Sequence, residues 1–574
     1  QTLGIPGSVI FSKKVNDELK NKSIFHTVSL GDFNFKNVNE PIEVFALSNR
    51  GFPVPKRNEI EGRFKKKSTV VPALIAGSIV LLIAATTLFY KKFDPYTKKS
   101  SHEKTIAVLP FINMSNDKDN EYFTDGISSE ITNQLSKINS LEVRAWSSSV
   151  QFKNSSKSLN EKAEILNVTS ILSGSIQKAG NRIHIQAELT NVDNNKRIWG
   201  EEYDREWGDI FTIQSELAQQ IALELNAGLT KDEKKQLELK PTDHPQAYAY
   251  YLQGIQLHER FRQTFGQEFF DNSKLKFEKA IEIDSNYALA HAGLANLYNS
   301  YTDFTKRDSM VMQLRMMEIE KAYSLAPDLD FVNSIRGAIF RVNGNLEESY
   351  KSFRKAYMIN PNNASTLFEF GLLYSDLGLV DQRIDLLKKA VQLDPLNASY
   401  FGFLGGAEVH INRLDEGLRN LQTAYRLEPT MFYVVDRIAY VYALQNNLTT
   451  SETWLKKFLT LLPPDKAISF YEGYGQYAAY CFAKLGNKNK ALEISASSPR
   501  VFLALGMKEE ALKIFMDDEA SSQPSSSDYL FIQTHLNHKD FDIIRNDPRF
   551  LQLMEKKRLQ YELVKNRFYQ VSDG

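Results

Sequence analysis

The chain has 574 residues, too many for one hydrophobic core, and at roughly 100–200 residues per domain it should hold several units. Its 70 Lys and Arg balance its 70 Asp and Glu, so no global basic field draws it to nucleic acid. Cys481 is the only cysteine, which excludes an intramolecular disulfide framework and any multi-cysteine zinc or iron–sulfur site. The chain opens on Gln1 with neither a charged n-region nor a cleavable apolar stretch, so no signal peptide is read there and a piece of a longer protein is expected.

Residues 1–50 read as strand, helix and hairpin: GSVIFS, then KKVNDELKN, then VSLGDFNFKNVNEPIEVFALS. Phe33 and Phe35, then Ile42, Val44 and Ala46, alternate as in a half-buried antiparallel pair. So short a stretch holds too little core to stand alone and is expected to close a larger domain. Its two motifs, GIPGSVIFSKKVNDELKN and LGDFNFKNVNEPIEVFAL, resemble the last quarter of class III nucleotide cyclase domains, which make cyclic AMP or cyclic GMP.

That resemblance implies a fragment of an α/β cyclase domain, a parent enzyme requiring Mg or Mn, and a homodimer, because the family's active sites form between two such domains. The family's metal-binding aspartates, purine-selecting residues and transition-state Asn and Arg belong upstream of this region, and none is in this chain. Two metal ions and that Arg carry the chemistry, so this chain alone is expected to make no cyclic nucleotide and to hold no cofactor or metal. Lys36 stands where the family has a Lys that touches the polyphosphate, but here it lies in KNV where many members have KG; a solvated strand-edge Lys is the other reading.

A basic linker, 51–68, leads into residues 69–90, TVVPALIAGSIVLLIAATTLFY, which carry no charge. At about 1.5 Å per residue this stretch spans the roughly 30 Å hydrocarbon layer and predicts one transmembrane helix. Pro72 falls in its first turn, where a missing N–H costs little. Lys56, Arg57, Arg63, Lys65, Lys66 and Lys67 before it nearly balance Lys91, Lys92, Lys98, Lys99 and Lys104 after it, so flanking charge does not orient it. The cyclase resemblance does, because ATP and GTP are cytoplasmic. It implies a single-pass inner (plasma) membrane protein with a cytoplasmic N-terminus and residues 105–574 periplasmic or extracytoplasmic.

After a linker at 91–104, TIAVLPF reads as a strand, and Phe123, Ile127, Ile131, Leu135 and Ile138 mark one face of a helix. TSILSGSIQK and RIHIQAEL alternate as a hairpin turning through Ala179, Gly180 and Asn181. RIWGEEYDRE gives another strand, and Ile210, Ile213, Leu217, Ile221 and Leu225 a closing helix. These predict an α+β domain over 105–229, whose motifs IAVLPFINMSNDKDNEYFTDGISSEI, LSGSIQKAGNRIHIQAEL and IWGEEYDRE resemble the TolB-amino-terminal domain also met in FlgO proteins. The resemblance implies an interaction or assembly role without catalytic residues. Asp117, Asp119, Glu121 and Asp125 lack the Gly and terminal Glu of a calcium loop and read as a solvated loop at a helix N-terminus.

A linker at 230–245 precedes a periodic region, 246–550. Pro327, Pro361, Pro395, Pro429 and Pro463 are spaced by 34 residues, Ala322, Ala356, Ala390 and Ala424 repeat five positions earlier, and Gly337, Gly371 and Gly405 keep the same register. Small residues at fixed spacing let two helices of a hairpin approach closely, and each Pro closes the second helix. The pattern resembles the tetratricopeptide signature and predicts an all-α repeat superhelix binding a protein or peptide in its groove. FDIIRNDPRFLQLMEK is similar to segments that close such arrays in bacterial signalling proteins, leaving 551–574 as a cap or tail. No H-E-x-x-H, G-x-S-x-G or phosphate loop is present, and His244, His258 and His291 read as ordinary helix or linker positions.

The chain is thus expected to be multi-domain and to belong to a membrane signalling protein whose parent is a nucleotide cyclase. The alternatives are a repeat scaffold without enzymatic activity and a membrane transcription regulator. KKVNDELKN is a poor recognition helix, which disfavours the last and any nucleic-acid partner.

Overall fold

The computed structural model describes residues 5–20, 22–33, 40–56, 104–115, 121–304, 308–462, 475–520 and 527–569. It divides into two compact units, Gln1–Ser101 and His102–Gly574.

In the first unit, strand β1 (Ile10–Ser12), helix α1 (Lys13–Leu19), strand β2 (Thr27–Phe33) and strand β3 (Ile42–Leu47) build an antiparallel sheet in the order β1-β3-β2. Alternation along the strands gathers Leu30, Phe33, Val44 and Ala46 into a small core. Asn16 of α1 is buried and its Oδ1 accepts from the Thr27 hydroxyl at 2.7 Å, which ties the helix to β2. Lys36 and the apolar stretch 69–90 lie outside the described residues. Among the described residues no helix is long and apolar enough to cross a membrane.

The second unit begins with strands β4 (Thr105–Val108) and β5 (Ile112–Asn113), helix α2 (Glu121–Ser136), strand β6 (Glu142–Val143) and helices α3 (Trp146–Ser149) and α4 (Leu159–Leu166). Strands β7 (Ser170–Ala179), β8 (Arg182–Asn191) and β9 (Lys196–Glu206) and helices α5 (Ile210–Glu224) and α6 (Lys231–Leu237) follow. The sheet runs β6-β4-β7-β8-β9, with β5 beside β7; β4 pairs in parallel with β6 and β7, β5 in parallel with β7, and β8 antiparallel with β7 and β9. Gly180 turns the β7–β8 hairpin at a φ of +60°, in the left-handed region where a residue without Cβ is unstrained. One sheet face presents Ile183, Ile185, Ala187 and Leu189 to Phe123, Ile127, Ile131 and Leu135 of α2 and to Ile213, Leu217 and Ile221 of α5. The β4 end of the other face is covered by Leu166 and Ala163 of α4 with Phe152.

From Pro245 onward the chain is a tetratricopeptide-like superhelix of helical hairpins: Pro245–Thr264 with Gln267–Ile283, Ala288–Phe304 with Ser309–Leu325, Asp330–Val342 with Leu346–Ile359, and Ala364–Asp376 with Val380–Leu393. Ala398–His410 with Leu414–Leu427 and Phe432–Leu444 with Leu448–Leu461 continue it, and shorter pairs extend to Ala520. Pro327, Pro361, Pro395 and Pro429 each sit one residue past the C-cap of a second helix, where the missing N–H is not needed. Pro463 lies outside the described residues. Ala322, Ala356, Ala390 and Ala424 are fully buried against the first helices. Within hairpins, Gly344, Gly378, Asn412 and Asn446 hold positive φ of 78°, 73°, 61° and 59°, a second series at 34-residue spacing, and each is followed by an amide that returns to the first helix at 2.8–2.9 Å.

Sheet and superhelix share one core. Tyr248 of the first hairpin packs on Trp207 and Phe211 and accepts from Gln214 Nε2 at 3.0 Å, and Leu252 fills the space over Gly126. Farther along, the turns between hairpins grip the α+β domain. Asn360 donates to Ser136 Oγ and Asn362 to the Leu141 carbonyl, both at 3.0 Å; Ser147 and Ser148 donate to the Asp394 carboxylate, and the Ala145 amide to the Leu393 carbonyl. The C-terminal segment then doubles back on the array. Asn412 reaches the Thr534 carbonyl at 3.2 Å, and Tyr350 donates to the Phe568 carbonyl at 2.9 Å.

Two glycines in equivalent places differ in what they allow. A Cβ on Gly405 would stand 2.7 Å from the Gly417 carbonyl oxygen, whereas one on Gly371 finds Leu387 at 3.5 Å. Gly405→Ala should therefore cost about 1–3 kcal/mol by forcing the helices apart, while Gly371→Ala should be neutral or stabilise by up to about 1 kcal/mol through helix propensity. Urea midpoints of residues 102–574 check this, and equal midpoints for both variants would contradict the packing.

Candidate functional site

The repeat register exposes one departure. The slot that packs the second helix on the first holds Ser349, Gly417 and Ser451 at 34-residue intervals, but Arg383 in the intervening hairpin. Ser349 and Ser451 donate to the Gly337 and Ala439 carbonyls at 2.8 and 2.9 Å, closing their hairpins. Arg383 is too large to do so. Its hairpin is the looser one at Gly371, and its guanidinium runs on to donate to Ser375 Oγ at 2.9 Å and to lie 6.0 Å from the Phe403 ring centre.

There it meets a row of aromatics on successive first helices, Tyr400 buried and Phe368, Phe403 and Tyr433 half-buried. Phe368 stacks on Tyr400 at 4.7 Å and meets Phe403 edge-on at 5.1 Å, and Phe403 lies 5.9 Å from Tyr433. Gly402 and Gly406, one turn apart, leave a trough that receives Tyr433 and Arg437, also one turn apart on the next first helix. The Arg437 guanidinium lies 5.4 Å from the Tyr433 ring and 5.5 Å from Tyr477, a cation–π bracket. Burial, and then the charge of Arg437, push the Arg383 guanidinium down to about 10. Both guanidiniums thus face the same row of rings, and Arg437 also donates to the Tyr433 carbonyl at 3.2 Å.

The other residues singled out from sequence are structural. Glu121 and Asp125 both pair with Lys153 at 2.6 Å, while Asp117 and Asp119 lie outside the described residues. Among the described residues no group of three or more His, Cys, Asp or Glu is placed to hold a metal. His244 precedes the helix at Pro245, His291 contacts Glu318 at 2.6 Å, and His258 is buried on Ser300 Oγ at 2.8 Å, with burial holding its pKa down to about 3. Cys481 is buried, and burial pushes its thiol up to about 12, so it is inert as a nucleophile.

Removing the charge at position 383 separates function from stability. Arg383→Met should raise stability by about 1 kcal/mol or more, since an apolar side chain there avoids both desolvation and repulsion from Arg437. A thermal melt of residues 102–574 checks this, and a lowered midpoint would show instead that the Ser375 bond dominates.

Comparison with known proteins places these features in context. Residues 364–395, the hairpin that carries Arg383, match the family model described as Tetratricopeptide repeat. A protein of Rhizobium meliloti (strain 1021) named "Putative adenylate cyclase 3" is 28% identical over 304 residues, which is 53% of this chain and 45% of that protein, so the chain spans under half of its relative's length. Among solved structures, YrrB, a tetratricopeptide protein with an unusual peptide-binding site, aligns with 33% of this chain and 93% of its own at 20% identity and a TM-score of 0.27. PilF of Pseudomonas aeruginosa aligns with 38% of this chain and 95% of its own at 17% identity and 0.32, and MamA with 34% and 96% at 21% and 0.25.

Proposed function

We propose that this chain is the regulatory and partner-binding part of a membrane-anchored signalling protein whose parent is a class III nucleotide cyclase, and that its repeats bind a protein or peptide segment along the aromatic row. The observation that carries the binding reading is the Arg383–Arg437 pair bracketed by Phe403, Tyr433 and Tyr477. The preferred ligand is a segment with Asp or Glu beside an aromatic residue, because a carboxylate relieves the like-charge repulsion while the ring extends the row.

The cyclase parentage is supported by the similarity to the Rhizobium meliloti protein and by the first unit itself. Val9, Val15, Ile24, Phe25, Val28, Phe52 and Val54 are all exposed in this small unit, apolar side chains that further packing would cover. In this reading they face the remainder of a cyclase domain, Lys36 approaches the polyphosphate, Mg or Mn belongs to that missing part, and two such domains pair.

Selection of a random peptide library on the full chain should enrich acidic–aromatic sequences, and Arg437→Met should weaken the best binder about tenfold. Enrichment of basic peptides, or an affinity indifferent to Arg437, would sink the binding reading.

The topology is part of the same proposal, with residues 69–90 crossing the inner membrane once and residues 105–574 outside. Protease added to spheroplasts should digest the repeats and spare the N-terminal unit. The reverse pattern would invert the arrangement and remove the case for an ATP-consuming parent.

A further inference from the structure

A second concavity is lined in part by the helix Leu346–Ile359, in the hairpin before the one that carries Arg383, and shares no lining residue with the aromatic row. A cleft of about 820 Å³ opens where three parts of the second unit meet: Lys137 and Asn139 with α6 and its N-cap Thr230, the helix Leu346–Ile359, and the end of the C-terminal helix at Arg567 and Phe568. That volume suits a small molecule. Along the middle helix Lys351, Arg354, Lys355 and Met358 share one face at three- and four-residue spacing, all lining the cleft.

The charges around it do not cancel. Of the three lining carboxylates, Glu347 is taken by Arg567 and Lys351, and Glu233 accepts from the Asn139 and Thr230 amides at 2.8 and 2.7 Å. Asp232 stands in the first turn of α6, where the helix dipole favours it. Among the lining cations Lys355 pairs with Asp328, but Arg354, half-buried, has neither a hydrogen bond nor an ion pair among the described residues, and Lys137 reaches only Gln134 at 3.4 Å. Gln236 carries an enclosed amide oxygen with no partner, on a group whose two ends exchange by a flip. The walls are apolar: Tyr350 and Phe568 are nearly buried, while Met358 is 63% exposed on a helix whose neighbours are otherwise packed.

We propose that this cleft binds a small anionic amphiphile, with its phosphate or carboxylate head held by Arg354, Lys137 and Lys355 and its apolar or aromatic body laid on Met358, Tyr350 and Phe568. A bare anion leaves the apolar wall wet, and a neutral apolar molecule leaves Arg354 unpaired, so both halves are required. The site is independent of the peptide reading. Because its walls come from the α+β domain, a repeat and the C-terminal helix, an occupant binds all three at once and stabilises their junction.

The test is equilibrium dialysis of the full chain in a nonionic detergent against 1-naphthyl phosphate, with inorganic phosphate and 1-naphthol as the separated halves. The ester should bind at one site per chain and more tightly than either half. Arg354→Gln and Met358→Glu should each weaken it about tenfold, with unchanged circular dichroism. Lys274→Gln, on an exposed helix face distant in sequence, should leave binding intact. A second arm replaces the ester by soluble dihexanoyl phosphatidic acid; tighter, Arg354-dependent binding of that lipid supports the site and assigns the head group to a membrane source, whereas preference for the aryl ester supports a free metabolite. Affinity for 1-naphthyl phosphate unaltered by Arg354→Gln, or inorganic phosphate binding as tightly as the ester, would overturn the proposal.

Discussion

The structure rests on how closely two antiparallel helices can approach within a hairpin. A single hairpin carries apolar residues on more of its surface than its own partner helix covers, so it gains stability only by stacking on the next. Close approach requires a small residue opposite a large one, as at Gly337 under the Phe353 ring and Gly254 and Gly293 on either side of Phe277. Once that spacing is set, the turns fall in fixed places, and those turns supply Asn360, Asn362 and Asp394 to the α+β domain. The sheet domain and the superhelix are therefore one packed body within the second unit, joined at the first hairpin by the aromatic contacts of Tyr248.

Groups that cost stability lie in the Arg383 and Arg437 hairpins as well as earlier in the array, where Tyr287 and Asn333 each bury an oxygen without a hydrogen-bond partner. Arg383 displaces a small residue at a helix crossing and sits near Arg437. On the repeat that carries Arg437, Asp436 is fully buried, neither of its carboxylate oxygens has a hydrogen-bond partner, and burial raises its pKa well above the ordinary value of an aspartate. The early hairpins are filled by interlocking rings such as Tyr251, Phe277 and Tyr287.

Periodic features were legible in the sequence because each is imposed by local geometry. The 34-residue prolines and alanines mark helix ends and crossings, and the β7–β8 alternation marks a sheet face; both lie in the structure as their spacing predicts for the described residues. The series Gly344, Gly378, Asn412 and Asn446 was equally periodic, and the Ser158–Glu161 capping box of α4 equally local, so both were there to be read. Docking was not. Asn360, Asn362 and Asp394 make sense as turn and cap residues on local grounds alone, so nothing in their neighbourhood announces a partner more than two hundred residues away. Arg383 was the visible exception, a bulky cation in a slot that elsewhere holds Ser or Gly, and only the register of the whole array makes it stand out.

The bond between Ser148 and Asp394 joins residues 246 apart in the chain. During synthesis at about 5–20 residues per second, the edge of the sheet at β6 and α3 waits roughly 12–50 s before the turn that covers it has even been made. Throughout that interval the short β6 edge and the buried faces of Ala145 and Ser148 are open to any other strand or apolar surface nearby. The α+β domain thus emerges before the array and is covered only once the turn at Asp394 exists, and its nascent form is a stage at which a chaperone, or a second copy of the chain, has an open edge to bind.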